Sequence, residues 1–80
     1  MKGLIFQTYI DYLVTSHGEE LKDFILRDAN AGDRDSYDAM GTYPFSSLSA
    51  VVEQTHKHTE ISVSAVLESY GRYLFSILAT

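Results

Sequence analysis

The sequence predicts a mainly α fold, a small bundle of about four helices in a single domain. Two observations carry that reading. Apolar residues recur at helical spacing in separate stretches, and these stretches are divided by punctuation: Gly18, a segment holding Gly32, Gly41 and Pro44, and the turn before Ser62. At 80 residues, no more than one small domain is expected. Chains this short bury only about 60% of their unfolded surface, so a dense core, a metal or a partner is expected to support the fold.

The first helix is expected from about Lys2 to Ser16. Ile5, Tyr9 and Tyr12 form one apolar row and Phe6, Ile10 and Leu13 a second beside it, while Gln7, Asp11 and Thr15 line the opposite side. Gly18 stands where a left-handed C-terminal cap belongs. The second helix starts at once. Glu19 and Glu20 place negative charge at its dipole-positive end, and Leu21, Phe24, Ile25 and Leu26 supply its buried side. Residues 29–44, ANAGDRDSYDAMGTYP, form a long loop with room for one short turn. The third helix runs from about Ser46 to Lys57 with Leu48, Val51 and Val52 inward, and Ser62 N-caps the fourth.

The fourth helix, Val63 to about Ala79, is the most informative. Ser64, Glu68, Arg72 and Ser76 fall four apart on one narrow polar stripe, with Glu68 and Arg72 in the favourable order for an ion pair. Most of the rest is apolar: Val63, Val66, Leu67, Tyr70, Tyr73, Leu74, Phe75, Ile77 and Leu78. A helix that is apolar on most sides is buried on most sides, more than a few short neighbours can provide. A ligand, an oligomer partner or further chain is expected against it.

Six Lys and Arg against eleven Asp and Glu give a net charge of −5 and a pI near 4.9, which argues against a nucleic-acid partner. Glu19, Glu20, Asp23, Asp28, Asp33, Asp35 and Asp38 crowd one stretch against Lys22, Arg27 and Arg34, and read as a solvated face. No apolar run reaches membrane-spanning length, so no membrane partner is expected, and Asp11 interrupts the N-terminal apolar run before a secretory segment can form. The absence of cysteine fits a reducing compartment and removes thiolate metal sites and cysteine nucleophiles. A cytoplasmic protein is expected.

The motifs of hydrolases, phosphate loops and dinucleotide folds are absent, and no base is paired with a nucleophile, so no catalytic residue is assigned and no enzyme is expected. His56 and His58, two apart, point to different sides of a helix, and with no convergent third ligand no metal site is assigned. His17 beside Gly18 suits a cation at a helix C-terminus. Tyr9 and Tyr12 on the first helix and Tyr70 and Tyr73 on the fourth allow two readings. One is an aromatic core with its hydroxyls at the edge; the other is a flat apolar ligand held between the two helices.

Three segments are similar to one family. The opening MKGLIFQTYIDYLVTSHGEEL resembles the N-terminus of haem nitric oxide/oxygen-binding (H-NOX) domains, the gas-sensing domains of bacteria and of soluble guanylate cyclase. So do TYPFSSLSAVVEQ, with its YP before an amphipathic helix, and ISVSAVLESYGRYLF, with its Gly-Arg-aromatic cluster. The resemblance covers the whole chain in order and implies the distal helical subdomain of an H-NOX domain. Such a domain holds haem between two subdomains, with iron on a proximal histidine and a diatomic gas on the distal side. The family's iron-ligating histidine lies on a later helix, and its Tyr-x-Ser-x-Arg motif for the propionates later still. Residues 1–80 are therefore expected to be an incomplete part of the haem-binding domain, with tight haem binding by this chain alone not expected.

By the resemblance, Ile5, Tyr9, Leu74 and Leu78 correspond to positions that face the distal haem surface, and His17, His56 and His58 do not stand at the ligand's position. Tyr9 carries the only hydroxyl of the four, free to donate to a gas or to pack. An apolar distal side, Leu74 included, suits nitric oxide better than the polar Fe–O2 unit. The implied partners are the gas, through haem, and a signalling protein such as a kinase, a cyclase or a cyclic-dinucleotide enzyme. The alternative is a freestanding helical module without haem that uses the apolar surface to form a homodimer or to dock a partner.

Overall fold

The paired apolar rows of the N-terminal segment form a helix that is covered along nearly its whole length. In the computed structural model, which describes residues 1–79, this is α1 (Gly3–His17). It is followed by α2 (Glu19–Asp28), a short 3-10 turn at Arg34–Ser36, α3 (Phe45–Thr59) and α4 (Val63–Leu78). The fold is mainly α, a bundle of four helices. Phe6, Tyr9, Ile10, Tyr12 and Leu13 of α1 form the centre of the core; Ile25 and Leu26, Leu48, Val51 and Val52, and Val66 and Tyr70 close on them from α2, α3 and α4. No helix among the described residues is long and apolar enough to cross a membrane.

Local chemistry sets the helix ends within a residue or two of expectation. Gly18 turns the chain between α1 and α2 at φ 90°, ψ 162°, with its N–H on the Val14 carbonyl at 2.9 Å. This is an extended positive-φ conformation open essentially to glycine alone, not the left-handed helical cap the sequence suggested. Pro44 leads directly into α3, which starts at Phe45 and runs on to Thr59, two residues past the expected end, because Glu60 supplies a left-handed cap at φ 63°. Ser62 caps α4 through its hydroxyl oxygen, which accepts from the Ala65 N–H at 3.1 Å.

Two expectations for α2 are corrected. Phe24 lies outward, 39% exposed, with the Arg27 guanidinium 4.9 Å from its ring centre. Ile25 and Leu26 fill the core side of this two-to-three-turn helix, and the residue before them is rotated away from it. The acidic stretch is also more than a solvated face. Lys22 is only 5% exposed, and its ammonium group lies 2.8 Å from Asp23, 3.4 Å from Asp33 and 3.5 Å from Glu19. Its hydrogen bond to Asp23 and the neighbouring carboxylates outweigh burial and push its pKa up.

The loop 29–44 folds back over the N-terminus of α1. The Gly3 and Leu4 N–H groups, which have no partner inside the helix, donate to the Gly41 and Ala39 carbonyls at 2.9 and 3.1 Å. The polar side of α1 holds the same loop: Gln7 donates to the Tyr37 carbonyl at 2.6 Å, and Arg34 pairs with Asp11 at 2.9 Å. Tyr37 then stacks on Phe6 with ring centres 4.7 Å apart.

Candidate functional site

The seam between α1 and α4 has two unlike ends. At its closed end Val66 and Tyr70 are the residues of α4 that are buried. The Tyr70 ring meets Tyr9 edge to face at 5.0 Å and Tyr12 at 5.7 Å, while Tyr12 also lies 5.9 Å from Tyr73. Aromatic rings therefore fill the space between the helices here. The Tyr70 hydroxyl donates to the Ile5 carbonyl at 2.9 Å and lies 2.7 Å from Thr8 Oγ1. One helical turn further along α4 is Leu74, half-buried against the core, and one more turn brings Leu78, 73% exposed. Ile77 at 43% and Phe75 at 72% exposure also belong to this open half of α4.

The residues singled out in the sequence fall into different environments. Ile5 and Leu74 both pack half-buried on the core, and Leu78 stands at the exposed end. Tyr9 is 1% exposed, inside the bundle. Its hydroxyl lies 2.7 Å from Thr55 Oγ1, and Thr55 gives its own proton to the Val51 carbonyl at 2.9 Å. In that arrangement the Tyr9 proton is committed to Thr55 on α3, and burial pushes the Tyr9 pKa up to about 12. The hydroxyl that the sequence left free to donate or to pack is thus engaged in the core, not at its edge. Burial also raises the pKa of Tyr70, whose bonds to Ile5 and Thr8 sequence reasoning missed. Thr8, on the flank of α1 between the Ile5 and Tyr12 turns, was the available signal.

Each histidine has its own local contacts. His56 shares a hydrogen bond with the Ile61 carbonyl at 2.7 Å, whereas His58 pairs with Asp28 at 2.7 Å and holds that carboxyl below its ordinary pKa. His17 sits at the far end of α1, about 18 Å along the axis from Ile5 by helical rise. Its ring meets Tyr12 edge to face at 6.2 Å, and its Nε2 is buried without a hydrogen-bond partner among the described residues. No group of three His, Asp or Glu side chains able to hold a metal is found among the described residues. A separate groove of about 190 Å³ runs between α3 and α4, lined by Phe45, Leu48, Val52, Val63 and Leu67 with Glu53 at its rim.

Among curated proteins none matches the chain. A solved structure does: the crystal structure of an Fe(II) unliganded H-NOX protein mutant, A71G, from K. algicida, with a TM-score of 0.87 and 29% identity. The match covers 98% of this chain and 42% of that one, so the chain spans less than half the length of this structural relative. A family model described as Haem-NO-binding matches residues 2–80. The chain belongs to the Haem-NO-binding family, the family of H-NOX domains.

Proposed function

We propose that this chain forms the distal wall of a haem pocket in a nitric oxide sensor, with Ile5, Leu74 and Leu78 against the haem face and Tyr9 supporting them from behind. The observation that carries this reading is the apolar, uncovered end of the α1–α4 seam in a chain of this family. The residues present suit one side of such a group. Leucine and isoleucine side chains line the open end, and the hydroxyls of both Tyr9 and Tyr70 turn into the bundle. His56 and His58 are engaged with the Ile61 carbonyl and the Asp28 carboxylate. When bound, haem supplies the iron that takes up the gas.

This chain's own contribution is to press on the haem face, exclude water and withhold hydrogen-bond donors from the distal side. Withholding donors favours nitric oxide over oxygen, whose bound form is more polar. We read the chain as a sensor module and not an enzyme, acting in the cytoplasm and passing its signal to a kinase- or cyclase-type partner as the family resemblance implies. Haem titration of the chain, and of a variant lacking His17, His56 and His58, tests the reading. The expected result is weak binding with the same spectrum in both. A sharp, stoichiometric, histidine-ligated spectrum that disappears in the variant would overturn it.

A second reading is favoured by the groove between α3 and α4, where Phe45 is 67% and Leu67 48% exposed. On this reading the chain is a helical interaction module that self-associates. Sedimentation separates the two: a dimer dissociated by Leu67→Asp supports the module, and a monomer at high concentration counts against it.

A further inference from the structure

We propose that Tyr70 is a positioning residue: its hydroxyl, hydrogen-bonded to the Ile5 carbonyl, fixes how far the first turn of α1 stands from the open end of α4 and so where the Ile5 side chain meets haem. This rests on the reading of Ile5 as a haem-facing residue. In an α-helix the Ile5 carbonyl already accepts from the Tyr9 N–H, and its remaining acceptor capacity is what Tyr70 engages from α4 at 2.9 Å. Thr8 steadies the same hydroxyl at 2.7 Å, and its own oxygen lies 2.9 Å from the Leu4 carbonyl and 3.0 Å from the Ile5 carbonyl.

Burial makes the tie selective. Tyr70 is 8% exposed, so a hydroxyl that lost Ile5 and Thr8 would be left in the core without water to replace them. The first turn of α1 is held from its other side as well, by the Gly3 and Leu4 N–H groups on the Gly41 and Ala39 carbonyls. With the loop on one side and Tyr70 on the other, Ile5 cannot shift without breaking a bond. Leu74 lies one turn beyond Tyr70 on the same helix, so the hydroxyl sets the separation of Ile5 and Leu74, the two half-buried residues of the proposed wall.

Tyr70→Phe removes the hydroxyl and keeps the ring contacts with Tyr9 and Tyr12. In the haem-free chain, hydrogen exchange at the Thr8 and Tyr9 amides, which donate to the Leu4 and Ile5 carbonyls, is expected to speed about fivefold to tenfold, with α2 unchanged. No acceleration at Tyr9 would overturn the tie by itself. In the complete haem-loaded domain saturated with carbon monoxide, the C–O stretching band reports distal contacts. Tyr70→Phe is expected to shift that band in the direction of Ile5→Ala, and the double variant to shift it no further than Ile5→Ala alone. Ile25→Val, a core change on α2 remote from the seam, is expected to leave it in place. Additive shifts, or a band moved by Ile5→Ala and not by Tyr70→Phe, would overturn the positioning role. A band that ignores Ile5→Ala would instead overturn the haem-facing reading on which that role rests.

Discussion

Helices α1 and α4 are nearly equal in length, 15 and 16 residues, and both are rich in apolar side chains. The first buries Gly3, Phe6, Thr8, Tyr9, Ile10, Tyr12 and Leu13; the last buries only Val66 and Tyr70. The difference lies in what surrounds them. Helix α1 is enclosed by α2, α3, α4 and the loop 29–44, so its apolar rows stabilise the bundle. Helix α4 closes the bundle from one side, and Leu67, Phe75, Ile77 and Leu78 remain exposed. Apolar surface on α1 thus serves folding, whereas on the second half of α4 it is left for something other than this core.

The largest effects should fall on α1. Leu13, fully buried, is expected to cost about 2–5 kcal/mol on truncation to alanine, measured by urea denaturation. Leu78→Ala, at 73% exposure, is expected to stay within about 0.5 kcal/mol of the parent, and equal costs at the two positions would break the comparison.

The glycines sharpen it further. A Cβ at Gly3 would lie 1.8 Å from the Asp38 carbonyl oxygen, so Gly3→Ala must displace the loop that covers α1 and is expected to cost about 1–3 kcal/mol. At Gly71 on α4 a Cβ meets nothing within 4 Å. Gly71→Ala is therefore expected to stabilise the chain by about 0.5–1 kcal/mol, read as a raised melting temperature.

The smallest effect concerns the charged side of α2. The Arg34 N–H, followed by Lys22, holds the Asp33 carboxyl below its ordinary pKa. That stabilisation is present above the unfolded value of about 3.9 and is lost as pH falls through the lower folded value. Lys22 has the opposite sign: its contribution is present below the unfolded value of about 10.4 and is lost as pH rises through its raised folded value. Asp33 is two-thirds exposed, with 66% side-chain exposure, so Asp33→Asn is expected to cost only about 0.2–1 kcal/mol at neutral pH and to flatten the acid side of the stability profile.

The sequence made the local features of the fold legible. Periodicity located each helix, Ser62 announced its cap, and the ion pair of Glu68 and Arg72 follows from four-residue spacing. Features that depend on partners far along the chain were not legible. Lys22 is buried because Asp33, eleven residues away, folds back onto it, and Phe24 turns outward because its neighbours Ile25 and Leu26 occupy the core. The proposed haem wall divides in the same way. Ile5, Tyr9, Leu74 and Leu78 could be named from the resemblance, but neither the engagement of Tyr9 with Thr55 nor that of Tyr70 with Ile5 can be read from spacing. Those bonds span 46 and 65 residues and exist only once the bundle has closed.

The claim that the open end of the α1–α4 seam is a haem wall is tested most directly by nuclear magnetic resonance of the protein loaded with paramagnetic ferric haem. The expected result is the strongest broadening at Ile5, Leu74 and Leu78, with the amides of α2 unaffected. Broadening centred on α2 or around His58 would contradict it.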